Sequence, residues 1–226
     1  MIDIHSHIIP FVDDGSNSLE QSLKLLEISS AAGVTHLICT PHYRKGVFQP
    51  TALEIKENFE LLKKENKTPI KLYLGQEISA FNGMYKMIKN HELYSMNDKP
   101  YILLEFPYRE CDNVVDMVYD AIFSGFTPII AHVERYEYIK RSMVEDLKDK
   151  GALIQVNADA LVSKKSKHYA KRVKQYIKEG LVDFVASDIH SSREHYLAEA
   201  YLFVKKNYGE ETAKDLFNNN AQKLLV

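Results

Sequence analysis

Eight side chains of metal-binding type stand where short apolar runs of the sequence end: His5, His7, His42, Glu77, Glu105, His132, Asp188 and His190. A ninth, Asp14, follows His7 closely in the loop Val12-Asp13-Asp14-Gly15. Five are imidazoles and four are carboxylates. In His5-Ser6-His7 and again in Asp188-Ile189-His190, two of them are separated by one residue. In an extended chain such a pair points to the same side, so both can reach one ion. One ion with roughly four to six ligands cannot use the whole set, whereas two or three ions sharing a bridging carboxylate can. A mixed imidazole and carboxylate shell with no thiolate suits Mn, Fe or Zn. Taken singly, each residue has a plainer reading: Glu105 as a buried acid paired with Arg135, Asp188 as a helix N-cap. Plain structural roles would scatter such residues along strands and helices; here they gather at the ends of runs. His36, His91, His168 and His195 lie elsewhere in the pattern and receive no role.

The thiols offer no rival chemistry. A cysteine-based phosphatase needs Cys-x5-Arg, but Cys39 precedes Arg44 by a Cys-x4-Arg spacing with no glycine between them. Cys39 reads as a small buried hydrophobe and Cys111 as structural. Two cysteines make neither a disulfide framework nor a four-thiolate zinc site.

The elements that must position the nine residues follow from the apolar runs. Those runs cover 2–5, 35–40, 71–75, 101–106, 128–133, 152–156 and 182–186, nearly continuous in apolar character, as parallel strands buried on both faces are. Helical spacing predicts helices over 18–32, 50–64, 82–90, 113–123, 164–178, 193–207 and 210–218. Strands alternating with helices mean an α/β fold, either an open doubly wound sheet or a closed barrel. No glycine-rich phosphate loop follows the first strand, which lowers the open-sheet reading. A barrel of about seven parallel strands also brings all the strand ends to one face. The expectation is a distorted TIM-like β/α barrel.

No repeat, low-complexity segment or Pro/Gly/Ser linker divides the 226 residues, so a single domain over 1–226 is expected. The formal net charge of −2 argues against nucleic-acid binding through bulk positive charge. No apolar run approaches the ~20 residues of a membrane span. The start, Met1-Ile2-Asp3-Ile4-His5, has no secretory pattern, so a cytoplasmic setting is expected.

His5-Ser6-His7 with Asp13-Asp14-Gly15, Thr40-Pro41-His42, Gly75-Gln76-Glu77, Leu104-Glu105-Phe106-Pro107, Ala131-His132-Val133-Glu134-Arg135 and Ala186-Ser187-Asp188-Ile189-His190 together resemble the polymerase and histidinol phosphatase (PHP) superfamily. More narrowly, they resemble the manganese-dependent protein-tyrosine phosphatases of bacterial capsule and exopolysaccharide operons, the CpsB type. The resemblance spans essentially the whole chain. It implies a distorted barrel with a centre of three Mn2+ ions, and as substrate the phosphotyrosine-rich tail of a bacterial tyrosine kinase. It implies one ion on His5, His7, Glu77 and Asp188, a second on Glu77, Glu105 and His132, and a third on Asp14, His42 and His190. Arg135 and Arg193 would hold the phosphoryl group, and Asp14 would stand near the leaving group. Two departures are visible. Val133 replaces a common proline, and Arg193 follows His190 by three residues where the family arginine comes later.

Two alternatives stay open at this level. One is a PHP phosphatase of a small ester such as histidinol phosphate; the other is a PHP module without catalysis. The stretch from Lys164, Lys165 and Lys167 to Lys178 is the most basic in the chain. It reads as a solvated outer helix, or as a guide for an acidic tail if its N-terminal end lies near the site mouth.

Overall fold

The computed structural model describes all 226 residues. The apolar runs become strands: β1 (Ile2–Asp3), β2 (His36–Cys39), β3 (His42–Tyr43), β4 (Lys71–Leu74), β5 (Glu77–Ser79), β6 (Tyr101–Glu105), β7 (Thr127–Ile130), β8 (Leu153–Asn157) and β9 (Phe184–Ala186). Every ladder between them is parallel. β1, β2 and β4 form one sheet, and β3, β5, β6, β7, β8 and β9 form another in that order. β3 prolongs the path of β2, and β5 that of β4, so nine short strands make seven staves. The ring closes where the first stave meets the last. Ser6 bridges Ile189 in parallel, the His7 amide donates to the Ile189 carbonyl, and the Asp188 amide donates to the His5 carbonyl, each at 2.9 Å. The architecture is the expected distorted β/α barrel.

The strands expected over 35–40 and 71–75 are present, and each is followed, after a gap of two residues, by a short strand that was not expected. Pro41 has no N–H to continue a ladder. At Gly75 the chain is pressed against its neighbours: a Cβ there would lie 3.0 Å from Met96 Sδ and 3.1 Å from Ile38 Cγ2. His42 and Glu77 consequently open short strands of their own, paired with each other.

Around the staves run α1 (Leu19–Ala31), α2 (Ala52–Glu65), α3 (Met84–Lys89), α4 (Val114–Phe123), α5 (Arg141–Asp149), α6 (Asp159–Val162), α7 (Lys167–Lys178), α8 (Leu197–Tyr208) and α9 (Glu210–Phe217). α1 starts at Ser18, whose hydroxyl accepts from the Gln21 amide, and α2 starts with a Thr51–Glu54 capping box. Such caps contribute about 1 kcal/mol each. α5 and α6 were not expected. α5 buries only Val144 and Leu147, too thin an apolar stripe to read. The helix expected from 193 begins at Leu197, and residues 191–196 form a turn that bears on the site.

Alternate strand residues serve two layers. Leu37, Ile102, Leu104, Ile130 and Val156 pack outward against the helices. Ile4, Ile38, Leu103, Ile129, Ala131 and Ala186 form a second cluster inside the ring, closed at its N-terminal end by Met96, Ala221 and Leu224. Continuing the inward parity by two residues from Leu103 reaches Glu105, and from Ala186 reaches Asp188. The polar centre is therefore the upper layer of the same interior.

Candidate metal centre

The seam between first and last staves does the first positioning. Asp3 is fully buried, and its Oδ1 accepts from the Ser187 amide at 3.0 Å. With the two main-chain bonds above, this sets His5 and His7 beside Asp188 and His190. Gly15 packs on the same strand end; a Cβ there would sit 2.1 Å from the His7 carbonyl oxygen. The loop from Phe11 to Ser16 is thus held against His7.

The ring nitrogens are pre-assigned by their partners. His5 Nδ1 lies 3.1 Å from Gln155 Oε1, and His7 Nδ1 lies 2.7 Å from Asp13 Oδ2. Both partners are acceptors, so in the neutral ring each Nδ1 carries the proton and each Nε2 is the lone pair left for a cation. Without a cation, burial opposes the charged form of both rings, but the carboxylates Glu77 and Asp188 around His5, and Asp13 and Glu77 around His7, outweigh it. Those two Nε2 atoms face each other at 3.1 Å. Glu77 Oε2 stands 3.2 Å from both, and Asp188 Oδ1 stands 3.5 Å from both. Four electron-rich atoms turned inward at such spacing suit a cation with bonds of about 2 Å.

Glu77 is the hub. Its Oε1 accepts from His132 Nε2 at 2.8 Å, and its Oε2 is 2.9 Å from His42 Nδ1 without hydrogen-bond alignment. Burial works to raise the Glu77 carboxyl, but His5 and His42 outweigh it and hold it well below the ordinary range. Burial pushes His132 down to about 4, leaving it neutral as a ligand must be. Three groups have donor atoms gathered within 4.8 Å: His5, His7 and Glu77; His42, Glu77 and Glu105; His7, Asp14, His42 and His190. Buried His42 Nδ1, Glu77 Oε2, Glu105 Oε2 and His190 Nε2 have no hydrogen-bond partner. Unpartnered polar atoms of this kind are costly unless something binds them, so the donor set fits two or more divalent ions. The gathered groups differ from the expected ones in three places: Asp188 does not join His5, His7 and Glu77, His42 stands with Glu77 and Glu105 in place of His132, and His7 joins Asp14, His42 and His190.

Asp188 divides its labour. Oδ1 faces the imidazoles, while Oδ2 takes Asn157 Nδ2 at 2.8 Å, Arg135 Nη2 at 3.0 Å and the Arg193 guanidinium. The spacing of Arg193 is explained by the turn after His190. The Arg193 amide donates to the His190 carbonyl, and the tight turn folds its side chain back onto Asp188. Glu105 does not pair with Arg135; its Oε1 accepts from Arg44 Nε at 3.0 Å. Asp188 and His132 both have positive φ, 51° and 33°. That backbone region is unfavourable for such residues and is retained where the site demands it.

Asp14 stands at the mouth, its side chain about half exposed, with Oδ1 3.5 Å from His190 Nε2 and 3.6 Å from His42 Nε2. The His190 contact holds its carboxyl far below the usual range, against the effect of burial. Beside Asp188 lies a cavity of about 120 Å³, lined by Arg135, Arg193, Lys165, Asn157, Ser187 and Tyr196 among others. Cys39 is wholly buried and its thiol is pushed up by burial, so it has no part here.

The nine candidate residues thus meet at one end of the barrel, with Arg135 and Arg193 on their rim. The family model for capsular polysaccharide synthesis, CpsB/CapC, matches residues 1–226. The chain belongs to the CpsB/CapC family. Tyrosine-protein phosphatase CpsB of Streptococcus agalactiae is 34% identical to it over 238 residues, covering 100% of this chain and 98% of the relative. The crystal structures of YwqE from Bacillus subtilis and CpsB from Streptococcus pneumoniae, described as unique metal-dependent tyrosine phosphatases, include a chain that matches with TM-score 0.93 and 30% identity, covering 100% of this chain and 94% of that one. A histidinol phosphate phosphatase from Lactococcus lactis shares the fold, with TM-score 0.58 and 14% identity over 93% of each chain.

Some residues that touch this candidate centre escaped the sequence reading. Asp13 orients His7 and also accepts from the His42 amide at 2.9 Å. Gln155 serves His5 and the His132 amide, Tyr136 OH lies 3.2 Å from His132 Nδ1, and Arg44 holds Glu105. Gln155 carried a signal, an amide inside an otherwise apolar strand; Arg44 carried none.

Proposed function

We propose that this CpsB/CapC chain, acting as one unit over its full length, is a metal-dependent protein-tyrosine phosphatase. Its substrate would be the phosphotyrosine-rich tail of a bacterial tyrosine kinase of capsule or exopolysaccharide synthesis, met in the cytoplasm. The observation that carries this reading is the convergence of Glu77 with His5, His7, His42 and His132 beside the two Asp188-bound arginines. No helix is long and apolar enough to cross a membrane, which agrees with a substrate reached from the aqueous side.

His5, His7, Asp14, His42, Glu77, Glu105, His132, Asp188 and His190 would hold the ions, three Mn2+ in this reading, with Fe or Zn as chemically competent substitutes. Ions bound there would supply a water of lowered pKa and positive charge for the phosphoryl oxygens. Arg135 and Arg193 would take the non-bridging oxygens; a guanidinium suits their geometry. Asp188 keeps both arginines aimed while its other oxygen faces the centre. Asp14, ionised and at the mouth, serves better as ligand than as proton donor. A phenolate leaving group, with a pKa of ~10, asks for little protonation.

The test is a competition of substrates on Mn-loaded protein. A phosphotyrosine peptide should give a far higher kcat/KM than histidinol phosphate. The reverse order would replace the protein substrate by a small ester, and turnover of neither would leave a binding module.

A further inference from the structure

The reaction uses little of the charge on α7. The helix approaches the site at one end, where Lys165 lines the cavity shared with Arg135 and Arg193. Farther along, α7 and the segment entering α5 enclose a separate groove of about 280 Å³ lined by Lys140, Arg141, His168, Lys171, Arg172 and Tyr176, among others. Arg141 is paired with Glu145 and Glu179 at 2.7 and 2.8 Å. Lys140, Lys171 and Arg172 form no salt bridge. Arg172 is anchored to main chain instead: its Nη1 donates to the carbonyls of Glu134 at 3.1 Å and Tyr136 at 2.9 Å. Those carbonyls belong to the turn that carries Arg135, so the groove and the phosphoryl-binding side of the centre share a wall. Three uncompensated cations around one concavity repel one another, and an oxyanion between them relieves that repulsion. A guanidinium with one nitrogen committed still has further N–H donors.

We propose that this groove is an exosite for a second anionic group, phosphoryl or carboxylate, on the same polypeptide as the phosphotyrosine being hydrolysed. The inference rests on the phosphatase reading above. A polypeptide fits because the ligand must reach both groove and centre, and an extended chain covers about 3.3 Å per residue. A membrane surface fits less well: the groove is concave, and its one aromatic, Tyr176, is buried rather than offered as an anchor.

The test compares the metal-loaded full chain with the double variant Lys140→Glu/Lys171→Glu, which leaves Arg172 and every residue of the centre in place. Four substrates are used: p-nitrophenyl phosphate, a peptide with one phosphotyrosine among neutral residues, the same peptide with a second phosphotyrosine, and the same with glutamates at that second place. At low ionic strength the variant should raise KM for the doubly phosphorylated peptide about ten-fold, with the difference fading as salt screens it. The first two substrates should be unaffected. A matching rise with the glutamate peptide identifies negative charge as sufficient; a rise confined to the phosphorylated one identifies the phosphoryl group. Equal changes on all four substrates, or none, overturn the exosite. Loss of binding to phosphatidylserine-containing vesicles with unchanged peptide kinetics overturns it in favour of a membrane contact. If the unaltered protein turns over no substrate, the phosphatase reading fails on its own. Fluorescence anisotropy of the labelled doubly phosphorylated peptide then still reads the groove: weaker binding by the variant supports the exosite, and equal binding overturns it.

Discussion

The two ends of the strand barrel are built from the same staves and are filled in opposite ways. At the N-terminal end Met96, Ala221 and Leu224 close the interior with apolar side chains. At the C-terminal end the buried groups include His5, His7, His42, Glu77, Glu105, His132, Asp188 and His190, four with unpartnered atoms and two on positive-φ backbone. Gathering that much unsatisfied polarity lowers the stability of the protein without its ions. The apolar end offsets part of that. Chemistry and stability are thus separable along one axis, and substitutions at the two ends should fail in different ways.

The largest effect is expected at the hub. Glu77→Gln removes one charge from an atom set shared by two of the three groups, and should lower kcat/KM on a phosphotyrosine peptide about a thousand-fold or more, the equivalent of several kcal/mol. Metal content by mass spectrometry should fall with it. Full metal content with full activity would break the contrast between the ends. Next come the arginines. Arg135→Ala should cost on the order of a hundred-fold or more in kcat/KM, and Arg193→Ala less, because its side chain is more exposed, 38% against 18%. Steady-state kinetics showing the larger loss at Arg193 would reverse their ranks.

Smaller still is the effect of the residues that aim the ligands. Asp13→Asn keeps an acceptor oxygen near His7 Nδ1 and the His42 amide but loses the charge, and should weaken metal affinity by about ten- to a hundred-fold. Isothermal titration with Mn2+ measures it; unchanged affinity would demote Asp13 to a loop staple. At the opposite end, Leu224→Ala should leave kcat/KM per folded molecule unchanged while costing about 2–5 kcal/mol of stability. Thermal unfolding reads that loss, and a fall in activity without one would mean that the apolar end reaches the chemistry.

What was legible in the sequence follows the same division. Strand ends showed themselves because apolar runs buried on both faces stop abruptly at His, Asp or Glu, and one stop after another led to eight of the nine residues, Asp14 coming from the loop after His7. The short strands β3 and β5 were not legible: the runs read as ending at Thr40 and Gly75, and the resumed pairing of His42 with Glu77 appears only in the third dimension. Pairings across the barrel were hidden too. Arg44 is 61 residues from Glu105, and Gln155 is 150 from His5, and nothing in local spacing links them. The plainer alternative of a Glu105–Arg135 pair fails, because the barrel gives Arg135 to Asp188 and Arg44 to Glu105. The position of Arg193 made sense only once residues 191–196 proved to be a turn and not the start of α8.

The most direct measurement is phosphate release from a phosphotyrosine peptide by protein stripped of metal with a chelator, then titrated with Mn2+. The expected result is no turnover without metal and a return of activity as the ion is added, at more than one equivalent per chain because there are three donor groups, two of which share Glu77. Turnover that persists in the fully stripped protein would contradict a catalytic metal centre at this end of the barrel.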